Sequence, residues 1–186
     1  MTNNLRYQRF NPHKDAEFLA EVVLCYQAIF GEEPWNEWKK CTKCDKKWGS
    51  VEVEELSRLN SMHCEQPLVD FWPTDVIVKD LLEEISHDAS CWIVLDKGKV
   101  IGFCCGYPML PEKLEVKLGL PELASEIKNH FGDCGMVAYQ DELGLLSEYR
   151  NKGIAKNLVR VRLNDFRDQS LKIGVIRTKT NPPTVT

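Results

Sequence analysis

The segment that runs from Leu143 to Val159 constrains the fold more than any other part of the chain. It begins with an apolar run, continues through a polar stretch around Gly153, and ends in residues that favour a helix. This order predicts a strand, a tight turn and a helix start. A helix N-terminus presents unpaired backbone N–H groups and the positive end of the helix dipole, so it attracts anions. The predicted anion cradle consists of Arg150, Asn151, Lys152, Gly153, Ile154 and Ala155.

The spacing Arg150-x-x-Gly153-x-Ala155 lets the backbone approach a pyrophosphate closely, because glycine has no side chain and alanine a very small one. Two other phosphate motifs also place glycine between a strand and a helix, and neither fits. A P-loop requires Lys-Ser or Lys-Thr after its second glycine, and a dinucleotide fingerprint requires three glycines. An ordinary exposed turn is the alternative interpretation.

Length and composition indicate one soluble domain. The chain has 186 residues, of which 43% are hydrophobic, and this is enough to build a core. No apolar run approaches the roughly 20 residues of a membrane span, and the N-terminus lacks the apolar core of a signal peptide. We therefore expect a cytoplasmic protein with no membrane partner. A net charge of −4 argues against nucleic-acid binding and mildly favours cationic partners such as amines.

The other elements have a readable order along the chain. Residue patterns predict a strand, two helices, a hairpin, a helical connection, and then the strand, turn, helix and strand around the cradle. In sequence order these lie over Leu5–Phe10, from Asp15 to Gly31, from Pro73 to His87, over Cys91–Tyr107, over 111–131, and over 135–178. This order and the cradle motif resemble the GNAT superfamily of N-acetyltransferases, whose acetyl-coenzyme A signature is Gln/Arg-x-x-Gly-x-Gly/Ala. The resemblance is specific over residues 135–178.

The resemblance implies a single α/β (α+β) domain of GNAT type over residues 1–186. Its mixed, mostly antiparallel, twisted sheet would be flanked by helices, and its central strand would splay at the acetyl-CoA site. Acetyl-CoA would serve as acetyl donor to a small-molecule or protein amine. Main-chain atoms of Leu145 and Leu146 would grip the pantetheine, and the cradle would bind the pyrophosphate. A homodimer is left open.

The sequence departs from the family in two places. One is an inserted, cysteine-containing subregion at about residues 36–68. The other is the end of the chain: after Thr178 the family would supply another helix and two strands, so we expect an incomplete sheet. The general acid of the family, a tyrosine, belongs to that segment, and no residue here is assigned to its role.

Glu142 is the favoured general base, because an alkylammonium must lose a proton before it can attack a thioester. Side chains alternate along a strand, so Glu142 is expected on the same face as Gln140. Asp141 would lie on the opposite face with Leu143 and Leu145, and it is the second candidate. A structural ion pair is the alternative role for Glu142.

The eight cysteines mostly lie in apolar segments, where a free thiol behaves as a small hydrophobic side chain. Cys41-Thr-Lys-Cys44 lies instead in a lysine-rich stretch and has the spacing of half a zinc site. Cys64, preceded by His63, is a candidate third ligand, and the fourth ligand is unassigned. Structural zinc, unligated thiols and redox chemistry stay open.

The stretch from Glu32 to Trp38 combines acidic and aromatic residues. Trp35 and Trp38 are predicted to anchor the loop on the substrate side or to line the acceptor pocket. The acidic residues would attract an amine or form a solvated face. The rival to an enzyme is a non-catalytic module that binds acyl-CoA or a protein through a zinc-stabilised docking region.

Overall fold

A computed structural model of the chain describes residues 5–85 and 88–178. The described helices are α1 (Ala16–Gly31), α2 (Val53–Arg58), α3 (Thr74–Glu84), α4 (Pro111–Leu118), α5 (Leu123–Phe131) and α6 (Ile154–Asp168). The described strands are β1 (Leu5–Arg9), β2 (Lys39–Lys40), β3 (Lys47–Trp48), β4 (Met62–His63), β5 (Gln66–Pro67), β6 (Val69–Asp70), β7 (Ser90–Asp96), β8 (Lys99–Met109), β9 (Val137–Leu145) and β10 (Gly174–Ile176). A single 3₁₀ turn, Ser147–Tyr149, links β9 to the start of α6.

The main sheet has the strand order β1-β7-β8-β9-β10. Its first four strands pair antiparallel, and β10 pairs parallel to β9. The parallel pairing begins at Gly174 with Ala138 and ends at Ile176 with Gln140, although β9 continues to Leu145. The second half of β9 therefore has no partner on this edge among the described residues. This mixed, mostly antiparallel sheet flanked by helices confirms the predicted fold class.

Helices cover the two faces of the sheet. Tyr26 of α1 stacks on Phe103 of β8, with ring centroids 5.7 Å apart, on one face. Leu158 of α6 packs with Ile101 on the other face, and both are fully buried. Each strand alternates between these two cores, because successive side chains point to opposite faces. No helix among the described residues is both long and apolar enough to cross a membrane.

Between α1 and α3, residues 39–70 form a small unit outside the main sheet. It contains the sheet β3-β2-β6, the hairpin β4-β5 and helix α2. Its buried apolar cluster consists of Cys41, Trp48, Leu56 and Leu68. We call residues 39–70 the insertion.

Several element boundaries differ from those predicted. The helix expected to reach His87 ends at Glu84, and residues 86–87 lie outside the described part of the chain. The connection over 111–131 consists of α4 and α5, separated where Gly119 adopts φ +62. The last strand is limited to Gly174–Ile176. The predicted truncation of the sheet falls on residues 179–186, which also lie outside the described part.

Candidate active site

The predicted cradle lies at the N-terminus of α6, directly after the open half of β9. Gly153 is the residue before the helix and has φ +76, a backbone conformation that favours glycine. A Cβ at this position would meet no atom within 4 Å, so the space above the turn is open. Among the described residues, none accepts a hydrogen bond from the N–H groups of residues 151–156. These groups are free to bind an anion, with the helix dipole behind them.

The flanking residues of the cradle are partly engaged within the chain. The N–H of Arg150 donates to the carbonyl of Ser147 at 3.2 Å. The guanidinium of Arg150 donates to the carbonyl of Leu145 at 3.1 Å and lies 3.6 Å from the Glu32 carboxylate. Lys152 donates from Nζ to the carbonyl of Glu148 at 2.6 Å. The backbone of the turn, more than its side chains, is thus available to a ligand.

The two predicted main-chain contacts, Leu145 at the end of β9 and Leu146 directly after it, differ in their availability. The N–H of Leu146 donates to Ile101 of β8 at 3.0 Å, and its carbonyl accepts from Tyr149 at 2.9 Å. Antiparallel pairing alternates, so the N–H groups of Leu145 and Leu143 point away from β8, toward the open edge. Leu145 keeps a main-chain donor for a ligand, and Leu143, which the sequence interpretation did not select, provides a second.

A β-bulge in β9 changes the faces of the carboxylates. Cys105 of β8 pairs with Glu142 and Gly106 pairs with Gln140, so Asp141 is the extra residue. A bulge reverses the alternation of the residues that follow it. The expectation that Gln140 and Glu142 share a face is therefore wrong. Gln140 faces α6, whereas Asp141 and Glu142 both face α1 and α3.

Arg162 of α6 holds the bulge in place and was missed by the sequence interpretation. It is 1% exposed, and it donates to the carbonyls of Cys105 and Glu142 and to Oε1 of Gln140, each at 2.9 Å. These acceptors lie on both strands around the irregularity. Arginine suits the site because its planar guanidinium offers several donors in a fixed geometry.

We expect Arg162→Met to lower the free energy of unfolding by about 2–4 kcal/mol, because it leaves buried carbonyls without donors. Arg160→Met is the matched control, since Arg160 lies exposed on the same helix. The control should change the free energy by no more than about 0.5 kcal/mol. Chemical denaturation of both variants provides the measurement. Equal changes in the free energy of unfolding would show that Arg162 contributes no more to stability than an exposed arginine.

A pocket lies on the α1 and α3 face of the sheet, directly above the bulge. Its cavity volume is about 210 Å³. Apolar walls come from Tyr26, Trp72 and Phe103, among others. Its charged lining consists of Asp80, Glu84, Asp141, Glu142, Lys117 and Arg177. Carboxylates outnumber cations, so the pocket favours a cationic ligand.

The two neighbouring carboxylates have different environments. Burial, reinforced by the negative charge of Asp141, raises the pKa of Glu142 to about 8. A hydrogen bond from Tyr26 and the charge of Arg177 act in the opposite direction without cancelling the burial. Asp141 accepts a hydrogen bond from the Tyr107 hydroxyl at 2.7 Å and lies 3.6 Å from Nζ of Lys117. Glu142 is thus the group poised to exchange a proton near neutral pH, while Asp141 is held by fixed partners.

A second cavity, of about 420 Å³, follows the open edge of β9. It extends from Gln140 along the strand to Arg150, at the cradle. Tyr26, Trp72, Asp141, Glu142 and Arg177 line both this cleft and the 210 Å³ pocket. The cleft beside the cradle and the carboxylate-lined pocket therefore meet at Asp141 and Glu142.

The residues upstream of the insertion lie beside the cleft. Trp35 lines the 420 Å³ cavity and contacts Phe30, with ring centroids 5.5 Å apart. Trp38 is 37% exposed and lines neither the pocket nor the cleft. Glu37 accepts a hydrogen bond from Nε1 of Trp72 at 3.0 Å, and its other oxygen pairs with Lys47 at 3.0 Å. Glu37 therefore has a structural role between the pocket and the insertion.

The structure brings together the predicted metal ligands and adds one. One ligand atom from each of Cys41, Cys44, His63 and Cys64 lies within 4.8 Å of the others. This cluster lies in the insertion and contributes no residue to the pocket or the cleft. Its donor set can hold a metal ion.

Several solved acetyltransferases have a similar fold. The polyamine N-acetyltransferase of Drosophila melanogaster, which forms N-acetylagmatine, is 12% identical with a TM-score of 0.58, over 96% of this chain and 78% of that one. The aminoglycoside N-acetyltransferase AAC(6')-Iy, solved with CoA, is 11% identical with a TM-score of 0.55, over 96% and 79%. An aminoglycoside acetyltransferase from an uncultured soil metagenomic sample, solved with trehalose, is 11% identical with a TM-score of 0.51, over 97% and 81%. At these identities the likeness shows the fold alone, and no curated protein matches the chain.

The amino-acid sequence was also compared with models of protein families. The family model described as acetyltransferase (GNAT) family matches residues 54–185, which is more than half of the chain. The fold agrees with this family assignment. The chain belongs to the acetyltransferase (GNAT) family, and this membership supports N-acetyltransferase activity.

Proposed function

We propose that the protein is an acetyl-CoA-dependent N-acetyltransferase in which an amine attacks the thioester directly within a ternary complex. The observation that supports this proposal is the meeting of the 420 Å³ cleft and the 210 Å³ pocket at Asp141 and Glu142. Acetyl-CoA bound in the cleft and an amine bound in the pocket would come into contact beside these two carboxylates. No protein nucleophile is then needed.

The donor would lie along the open edge of β9. Its pyrophosphate would accept hydrogen bonds from the free N–H groups of residues 151–155. Its pantetheine amides would pair with main-chain groups of Leu143 and Leu145, as an added strand pairs with a sheet edge. This binding leaves the thioester at the end of the cleft near Glu142.

Glu142 would act as the general base. It takes a proton from the ammonium, the nitrogen lone pair forms the new bond to the acetyl carbon, and the bond from that carbon to sulfur breaks. Coenzyme A leaves as the thiolate and takes up the second proton of the nitrogen, directly or through water, so the products are the neutral acetamide and the free thiol. Burial favours this role, because a carboxylate with a pKa of about 8 is a stronger base than an exposed one.

The acceptor is best described as a cationic amine with an apolar portion. Four carboxylates and two cationic side chains line the pocket, alongside the aromatic rings of Tyr26, Trp72 and Phe103. Carboxylates would attract the ammonium, and the rings would pack on an aliphatic stem and on the charge itself. The polyamine and aminoglycoside acetyltransferases with similar folds act, by their names, on amines of this kind.

A transfer assay tests the proposal. The full chain is incubated with acetyl-CoA and a panel of diamines, polyamines, aminoglycosides and lysine-containing peptides, and the free thiol of coenzyme A and the acetylated amine are quantified. We expect equal amounts of both products with at least one cationic amine, and weaker transfer to neutral or anionic analogues. Binding of acetyl-CoA without turnover across the panel would contradict the proposal and favour a non-catalytic binding module.

A further inference from the structure

We propose that the insertion contains a structural zinc site with four ligands, Cys41, Cys44, His63 and Cys64. The zinc would hold two β-hairpins together and thereby fix one wall of the 210 Å³ pocket. The metal site stands on the geometry of the insertion alone. Its consequence for the pocket rests on the proposed acetyltransferase function.

Two hairpins each present two of the ligands. The first hairpin joins β2 to β3, and its turn contains Cys41 and Cys44, closed by hydrogen bonds from Cys41 to Lys46 at 2.9 Å and from Asp45 to Cys41 at 3.0 Å. The second joins β4 to β5 through Cys64 and Glu65, which have φ +51 and +64. Positive φ at both positions is typical of the tight hairpin turns that match strand twist. The ends of the two hairpins lie side by side, with one ligand atom from each of the four residues within 4.8 Å of the others.

The distances fit tetrahedral coordination. Nδ1 of His63 lies 3.5 Å from Sγ of Cys44 and 3.2 Å from Sγ of Cys64. Zinc bonds of about 2.3 Å to sulfur and 2.0–2.1 Å to nitrogen place tetrahedral ligand atoms about 3.6–3.8 Å apart. The cluster is thus close to the size that one zinc ion requires. No two of the four ligand atoms are more than 4.8 Å apart, so the sulfur atoms would move together by about 1 Å at most to reach tetrahedral spacing.

Hydrogen bonding alone does not account for the cluster. A neutral imidazole nitrogen has one lone pair, so it accepts from one thiol at a time, yet two sulfur atoms lie within 3.5 Å of Nδ1. The third thiol, of the buried Cys41, donates to the carbonyl of His63 at 3.7 Å, so the conflict lies between Cys44 and Cys64. A divalent cation would satisfy all four donors at once, and three thiolates with one imidazole select zinc among the common divalent ions.

Charge and protons balance at such a site. Each of the three thiols releases its proton to solvent as its sulfur bonds to Zn²⁺, and His63 stays neutral. The occupied site has a net charge of −1. Surrounding cations stabilise thiolates, and this part of the chain supplies Lys39, Lys40, Lys43, Lys46 and Lys47.

The surroundings indicate a structural ion. All four coordination positions are filled by the protein, so no open position is left for a substrate. Trp48 is fully buried and packs edge-on to His63, with ring centroids 5.1 Å apart. The apolar core of the insertion is small, and units of this size commonly need a metal or disulfides to fold.

The zinc site would influence the position of the pocket wall through one carboxylate, that of Glu37. Lys47, on the first hairpin, pairs with Glu37, and Glu37 accepts from Nε1 of Trp72. Trp72 lines the pocket and packs edge-on to Tyr26, with ring centroids 5.4 Å apart. Loss of the ion would release the hairpin and, with it, the position of this aromatic wall.

Elemental analysis of the purified full chain tests the metal site. We expect about one zinc per chain in the wild type, in the control Cys134→Ser and in His63→Cys, which restores a fourth ligand. We expect at least a tenfold loss of zinc in Cys44→Ser and His63→Ala. Less than about 0.1 equivalent in the wild type after zinc-replete expression, or equal zinc in all variants, would overturn the proposal.

Cobalt substitution of the wild type keeps the test independent of how the variants fold. Tetrahedral cobalt with three thiolates should show intense thiolate-to-cobalt charge-transfer absorption, and an octahedral spectrum would overturn the proposed ligand set. A disulfide between Cys41 and Cys44 in freshly purified protein, found by mass spectrometry, would overturn it in favour of redox use.

Kinetics test the consequence for the pocket. In zinc-depleted protein we expect the KM for the amine to rise about tenfold, while the Kd for acetyl-CoA from calorimetry changes less than threefold. Equal KM values with and without zinc would contradict the proposal that the zinc site fixes the position of Trp72. Absence of acetyl-CoA binding by zinc-loaded protein would contradict the proposed function and leave the metal site standing.

Discussion

Gly153→Asp is expected to weaken acetyl-CoA binding by about 100-fold or more. The new carboxylate would project into the open space above the N-terminus of α6, where a pyrophosphate would lie. Repulsion between like charges a few ångströms apart costs several kcal/mol at a partly shielded site, and a loss of 100-fold corresponds to about 2.7 kcal/mol. Isothermal titration calorimetry with acetyl-CoA measures the effect directly.

Gly119→Asp separates this charge effect from backbone strain. Gly119, after α4, has φ +62 and ψ +32, Gly153 has φ +76 and ψ +2, and a Cβ at either position meets no atom within 4 Å. Both glycines are left-handed, so both substitutions impose a similar cost on the backbone, but only one lies at the cradle. The control should bind acetyl-CoA within about threefold of the wild type. If the wild type does not bind, or if Gly153→Asp binds as tightly, the cradle assignment is wrong.

The strand, turn and helix around Gly153 were predictable because the signals are local. An apolar run, a glycine and a helical pattern follow one another over a short stretch, and each reports on its own backbone conformation. The hairpin of β7 and β8 was predictable for the same reason, since Lys97 and Gly98 form its turn with φ +51 and +85. These elements sufficed to indicate the fold class.

The arrangement of the carboxylates was not predictable from β9 alone. The bulge at Asp141 depends on the neighbouring strand, where a Cβ at Gly106 would lie 2.6 Å from the carbonyl oxygen of Tyr139. It also depends on Arg162, whose donors reach both strands from α6. These residues are distant in sequence and adjacent in space, so strict alternation placed Glu142 and Gln140 on the same face.

The proposed fourth metal ligand, His63, was hidden by the local backbone conformation. Cys41 and Cys44 have a recognisable spacing, whereas His63 and Cys64 are neighbours without a familiar second half of a zinc motif. In an extended strand, adjacent side chains point to opposite faces, so both could not ligate one ion. The positive φ of Cys64 in the hairpin turn brings its sulfur to 3.2 Å from Nδ1 of the preceding histidine.

The bulge gives the pocket two carboxylates with separate tasks. Asp141 is fixed by Tyr107 and Lys117, so it supplies a stable negative charge for a cationic acceptor. That same charge disfavours ionisation of Glu142 and adds to the effect of burial. Glu142 is therefore the one to test as the base.

Glu142→Gln is expected to lower kcat by about 10²–10³-fold, because the amide keeps the size of the side chain but accepts no proton from the ammonium. The Kd for acetyl-CoA should stay within about threefold of the wild type. The pH profile gives the sharper result. Glu142 acts as a base only when ionised, so kcat/KM of the wild type should rise with pH, with a midpoint near the pKa of about 8, and level off above it. The variant should lack this transition. A transition caused by deprotonation of the amine itself would instead appear in the profiles of both enzymes.

Asp141→Asn is the matched comparison, since it neutralises the adjacent carboxylate of the same bulge. If Asp141 provides charge and not proton transfer, its removal should raise the KM for the amine and lower the pKa of Glu142, because a neighbouring negative charge is lost. The rising limb of the profile should then move to lower pH. A larger loss of kcat in Asp141→Asn than in Glu142→Gln, with the limb abolished only in the former, would transfer the role of base to Asp141.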